Sequence, residues 1–118
     1  MNTLVSLYDT TLRDGTQREG ITLSVEDKLK ITRLLDELGV QYIEGGWPGS
    51  NPKDAAYFER VRELDLKNAT LCAFSYTGRV AYAVEEDPNL QQLLAAQTPV
   101  VTIVGKSWLL HVHDVLRV

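Results

Sequence analysis

The chain has 118 residues, with 12 Lys and Arg against 16 Asp and Glu, a formal net charge of −4, and a composition of 44% hydrophobic and 24% charged residues. These proportions belong to an ordinary soluble globular protein of a single domain, neither disordered nor held together by disulfides. The acidic balance argues against nucleic acid or an anionic membrane as partner, because no basic surface is available to offset phosphate charge.

Met1 to Asp14 carries polar Asn2, Thr3 and Ser6 and no basic start, so no leader peptide is read there. No stretch reaches the roughly 18 apolar residues of a membrane span. Leu4, Val5, Leu7 and Tyr8 predict a first strand buried on both sides. A polar, Gly-containing stretch from Thr10 to Gly20 follows. Ser24 with Asp27 reads as a capping box that opens a helix, and Gly39 closes it. The core stripe of that helix is predicted as Val25, Leu29, Ile31, Leu34, Leu35 and Leu38. Val40 to Glu44 predicts a second strand, ended by Gly45, Gly46, Pro48 and Gly49. Asn51 and Pro52 start a second helix over Lys53 to Leu64. Thr70 to Phe74 predicts a third strand, Arg79 to Gln97 a weaker helical stretch, Pro99 to Val104 a fourth strand, and Ser107 to Arg117 a last helix.

Strand and helix therefore alternate, with connections too long for hairpins, which specifies right-handed βαβ units around a parallel sheet. The fold class is α/β. A βα barrel uses about 250 residues for eight units, roughly 31 each, so a chain of this length accommodates about four. An open doubly wound sheet of four strands would also fit. Periodicity alone leaves both architectures standing. Beyond the βα period there is no internal repeat.

Chemistry is concentrated after the first strand, in Asp9-Thr10-Thr11-Leu12-Arg13-Asp14-Gly15-Thr16-Gln17. The C-terminal ends of parallel strands are where ligands bind. Arg13 can fork onto a carboxylate or a developing oxyanion, and Asp14 offers hard oxygen to Mg²⁺, Mn²⁺ or Zn²⁺. Neighbours on a strand point to opposite faces, so both reach one site only if the chain bends, and Gly15 is the residue expected to bend it. The bland alternative is a local ion pair in a solvated turn. Glu44, at the end of the second strand, could hold the Arg13 guanidinium by a bidentate pair, or could simply face water. Gly45, Gly46 and Gly49 lack phosphate-loop spacing and read as tight turns.

His111-Val112-His113 would share a face on a strand, but on the predicted helix the two imidazoles diverge and do not chelate one ion. Cys72 is the single cysteine. It forms no intramolecular disulfide, reads as a packed core thiol, and suits a reducing, cytoplasmic setting. Trp47 and Trp108 read as packing residues.

The stretch from Asp9 to Gln17, followed by Ile43-Glu44-Gly45-Gly46-Trp47-Pro48, resembles the signature of the DRE-TIM metallolyase superfamily, its letters falling on Asp14, Arg13 and Glu44. Arg18-Glu19-Gly20, the segment Gly49 to Asp54 and the segment Thr98 to Trp108 resemble the citramalate synthase family, relatives of 2-isopropylmalate and homocitrate synthases. The resemblance covers almost the whole chain. It implies a TIM (β/α)8 barrel of parallel strands and an acyltransferase that condenses acetyl-CoA with a 2-oxo acid, here pyruvate, in isoleucine biosynthesis. It also implies a divalent metal (Mg, Mn or Zn) and a homodimer for the complete enzyme.

By the same resemblance, Asp14 is a metal ligand, Arg13 stabilises the substrate oxyanion, Glu44 orients Arg13, and Gln17 lies near the substrate. The family's other metal ligands are a His-x-His pair on a late strand, usually followed by Asn-Asp. His111 and His113 are not that pair, and the catalytic base also lies outside these residues. The expectation is residues 1–118 as a partial TIM-barrel catalytic domain, the N-terminal half with about four βα units, inactive alone and poorly soluble because its sheet edges are open. A superfamily lyase is the alternative within enzymes, and a non-catalytic α/β binding module the alternative outside them.

Overall fold

The computed structural model describes residues 3–118; Met1 and Asn2, which open the stretch read as leaderless, lie outside them. Four parallel strands, β1 (Tyr8–Asp9), β2 (Tyr42–Gly46), β3 (Thr70–Tyr76) and β4 (Val100–Val104), form one sheet in the order β1-β2-β3-β4. Helices α1 (Val25–Leu38), α2 (Pro52–Val61) and α3 (Pro88–Ala95) lie in the three crossovers.

This order separates the two architectures that periodicity left open. A doubly wound sheet reverses its strand order at a switch point. Here each strand adds to the same side of its predecessor, and right-handed crossovers then place every helix on one face. The core agrees: Leu29, Tyr57, Phe58, Val61 and Leu93 from the helices pack with Ile43 and Ala73 from the sheet in one cluster. The sheet is also strongly curved. Tyr8 and Thr102 stand on its opposite edges, where flat strands would hold their backbones about 14 Å apart with side chains standing side by side, yet the two side chains converge until their hydroxyl oxygens are 2.5 Å apart. The radius of gyration, 15.7 Å, exceeds the roughly 13.5 Å of a compact domain of this length. The architecture is a section of barrel wall, helices outside and a concave inner face.

Local signals explain the helix ends. Ser24 and Asp27 form the expected capping box, and Gly39 closes α1 with φ 91° in the left-handed region. Asn51 accepts the Asp54 N–H ahead of Pro52. The buried face of α1 keeps Val25, Leu29, Ile31 and Leu35 of the predicted stripe against the core and adds Lys28, Thr32 and Asp36, whereas Leu34 is exposed and Leu38 is 77% exposed. A 3.6-residue period through Leu29 passes these polar side chains, and each is buried because it is paired. Thr32 Oγ1 donates to the Lys28 carbonyl and meets the Tyr57 hydroxyl, both at 2.7 Å.

Other expectations shift. β1 is two residues long, and Leu4, Val5 and Leu7 are exposed, not buried on both sides, because β1 is an edge strand. The stretch from Arg79 to Gln97 holds a 3-10 turn, Val84–Glu86, and then α3, whose start is set by Asp87 accepting the Asn89 N–H. At the other end, His111–Leu116 is a single π turn with no buried residue. Trp108 is 61% exposed, so it does not pack as predicted. Apolar residues are left open at both edges of the sheet, Leu4, Val5 and Leu7 beside β1 and Val101, Ile103 and Val104 on β4.

Candidate active site

After β1 the chain turns sharply. The Thr10 carbonyl accepts the N–H groups of Arg13 (3.2 Å) and Gly15 (3.1 Å), Asp9 accepts the Thr11 N–H and hydroxyl, and Thr16 Oγ1 donates to the Arg13 carbonyl at 2.7 Å. The bend exists, but Gly15 does not create it. Gly15 has no positive φ, and a Cβ there would make only an ordinary 3.6 Å contact with Thr11. The turn sends Leu12 into the helix-side core and Arg13 to the inner face.

On β2, Ile43 joins the helix-side core, so its neighbour Glu44 points to the concave face. Glu44 is 1% exposed. Arg13 Nε donates to Glu44 Oε1 in an ion pair, and the Tyr8 hydroxyl donates to Glu44 Oε2 at 2.6 Å. The pair is therefore not the bidentate fork that was expected: one carboxylate oxygen is taken by Tyr8. The guanidinium carbon lies 4.0 Å from the centroid of the Phe74 ring. Among the described residues no further hydrogen bond engages the guanidinium, so its terminal nitrogens are uncommitted. A permanently charged group anchored through Nε and braced on an aromatic face can present its outer N–H donors to a ligand with little reorganisation.

Asp14 and Gln17 are exposed in the same turn. The structure thus joins Arg13 with Glu44 and leaves Asp14 and Gln17 facing solvent. The Asp14 carboxylate makes no hydrogen bond to another described residue. Its oxygens suit a hard divalent cation, but no three His, Cys, Asp or Glu among the described residues form a group that could hold a metal. These residues fit such an ion as the source of one ligand, not as its whole coordination shell.

The rim beside Arg13 is aromatic. Trp47 packs edge-on against Phe74 and Tyr76, and its indole N–H donates to Asn89 Oδ1 at 2.7 Å, while Asn89 Nδ2 donates to Ser75. Trp47 is placed by the glycines before it. The β2–β3 register slips between Glu44 and Gly46, a bulge at Gly45. A Cβ on Gly45 would sit 2.4 Å from the Tyr57 ring, and one on Gly49 2.3 Å from Asn89 Oδ1. Close approach, more than turning alone, explains these two glycines. Cys72, the register partner of Glu44, is a buried free thiol pushed up to about 11 by burial and then by the Glu44 charge. His111 and His113 lie on the terminal π turn.

Sequence reasoning missed Tyr8 and Asn89. For Tyr8 the available signal was its place immediately before Asp9 at the end of β1, one strand away from Glu44.

The HMGL-like family matches residues 4–118. The (R)-citramalate synthase of Aquifex aeolicus is 54% identical over 113 residues, 96% of this chain and 21% of the relative. That of Synechocystis is 58% identical over 111 residues, covering 94% and 20%. A 2-isopropylmalate synthase of Vibrio cholerae is more distant, 38% identical over 119 residues, covering 99% and 22%. The chain spans about a fifth of the length of these relatives.

Proposed function

The chain belongs to the HMGL-like family, and from that premise we propose that it supplies the substrate-activating part of a cytosolic enzyme that joins acetyl-CoA to pyruvate, giving citramalate on the route to isoleucine. The observation that carries the reading is the buried Glu44 holding Arg13 by Nε, with the outer guanidinium nitrogens uncommitted among the described residues. In the reaction the methyl carbon of acetyl-CoA, deprotonated by a base outside these residues, bonds to the 2-oxo carbon. The carbonyl oxygen becomes an alkoxide, and water then cleaves the thioester to release CoA. Arg13 donates to the oxygen where that charge develops, and Glu44 keeps the fork aimed. Asp14 would contribute one oxygen to a divalent cation, which when bound polarises the 2-oxo carbonyl. Gln17, exposed on the same turn, is assigned to substrate contact. The identity to citramalate synthases, higher than to 2-isopropylmalate synthase, supports pyruvate over larger 2-oxo acids.

The test is a chimera in which this chain replaces the matching segment of the Aquifex aeolicus enzyme. Citramalate formation from pyruvate and acetyl-CoA is expected, with turnover lowered about 10²–10³-fold by Arg13→Lys, because a point charge does not reproduce the fork. A folded chimera without activity, or one indifferent to Arg13→Lys, would overturn the assignment.

A further inference from the structure

We propose that Tyr8 and Thr102 are positioning residues that set the aim of Arg13 through Glu44, an inference that rests on the activity proposed above. The proton bookkeeping fixes the direction of the relay. Glu44 as the ion-pair partner of Arg13 is a carboxylate and only accepts, so the 2.6 Å contact uses the single hydroxyl proton of Tyr8. The 2.5 Å contact between Tyr8 and Thr102 then requires Thr102 to donate to the Tyr8 oxygen. The chain of donors runs Thr102 to Tyr8 to Glu44 Oε2, while Glu44 Oε1 receives Arg13 Nε. Burial and the Glu44 contact both raise the Tyr8 hydroxyl above its ordinary range, so it stays protonated and able to donate at every physiological pH.

The relay closes a geometric problem. A carboxylate held at one oxygen by a single N–H can rotate about its last torsion and carry the guanidinium with it. Capturing the second oxygen removes that freedom. The captor is itself tethered from the far edge of the sheet, so the aim of an Arg on the β1 turn depends on a hydroxyl on β4. Only a curved sheet permits this, since Tyr8 and Thr102 are separated by β2 and β3. Neither side chain touches a reacting atom; both act through Glu44.

Double-variant kinetics in the chimera test this. Tyr8→Phe and Thr102→Val, both close in shape to the native residues, are expected to lower kcat about tenfold with KM for pyruvate within about twofold, as for an interaction made only in the transition state. Thr102→Ser keeps the hydroxyl and is expected to recover most of what Thr102→Val loses. In an Arg13→Lys background Tyr8→Phe is expected to cost nothing further, because its effect passes through Arg13. A loss that persists in that background marks Tyr8 as a packing residue and overturns the inference, as does unchanged kcat in both single variants. Should Tyr8→Phe fail to fold, the Thr102 pair decides on the same criteria. A native chimera that is folded and inactive defeats the functional reading itself, whereas an active one with additive losses defeats only the relay.

Discussion

Buried Lys28 on α1 and half-buried Asp54 on α2 form an ion pair, Nζ to Oδ1 at 2.7 Å, beside the turn that follows β2. Asp54 Oδ2 accepts the Trp47 N–H at 2.9 Å, so the pair also fixes the start of the aromatic rim beside Arg13. Burial pulls Lys28 below its ordinary range, and Asp54 counters that pull. Asp54→Asn should therefore leave a buried charge without its partner and destabilise the fold by about 3 kcal/mol. Replacing both residues by apolar ones, Lys28→Met with Asp54→Leu, should recover only part of the loss, because the Trp47 N–H then lacks its acceptor. Urea midpoints of the chimera measure both, and equal midpoints for native and Asp54→Asn proteins would refute the claim.

The glycines near the site should divide into two groups. At Gly46, φ is 151° and a Cβ would lie 2.6 Å from Asp54 Oδ2, so Gly46→Ala strains the backbone and pushes on the ion pair together. At Gly45 the obstacle is the Tyr57 ring, anchored in the core. Each substitution should cost about 1–3 kcal/mol. Gly15→Ala should be nearly silent in stability. If Gly15→Ala proved as costly as Gly45→Ala, the turn after β1 would depend on its glycine after all.

Cys72 should be inert. With its thiol pushed up to about 11, the thiolate fraction at pH 8 is about one in a thousand, and the side chain is buried as well. A disulfide reagent should label the native chain at least about a hundredfold more slowly than free cysteine, and fully in strong denaturant. Rapid labelling of the folded chain would show that the inner face opens to solvent.

Much of this molecule is legible along the chain because the signals are local. Ser24 with Asp27, Asn51 with Pro52, and Gly39 act on their own backbones, so α1 begins and ends, and α2 begins, where those residues predict, while α2 stops at Val61 short of the predicted Leu64. Arg13 and Glu44 could be nominated because both stand just past strand ends. What escaped depends on partners far away in sequence. Thr32 and Asp36 look wrong for a core face until Tyr57 and the 67–69 backbone arrive to satisfy them. Tyr8 looks like one more strand residue until curvature brings Thr102 across the sheet. The choice between barrel wall and open sheet likewise rests on strand order, which no local pattern encodes.

Asp36 ties the C-terminal end of α1 to the segment before β3, its carboxylate accepting the N–H groups of Lys67, Asn68 and Ala69 at 2.7–2.8 Å. Burial opposes its charge, but those three donors outweigh burial and hold the carboxyl below its ordinary value of 3.8. A carboxyl lowered in the folded state is protonated first in the unfolded chain, so acid favours unfolding. The stability Asp36 contributes is therefore complete above pH 3.8 and is lost as pH falls through its lower folded value. Asp36→Asn should be less stable than the native protein at pH 7, because one amide oxygen replaces two carboxylate oxygens against three donors. The gap should narrow steadily once the pH drops below 3.8. Unfolding midpoints of the two proteins measured across the acid range check this. A gap that stayed constant down to the acid limit would mean that the three N–H groups hold the folded Asp36 carboxyl no more strongly as an anion than as an acid.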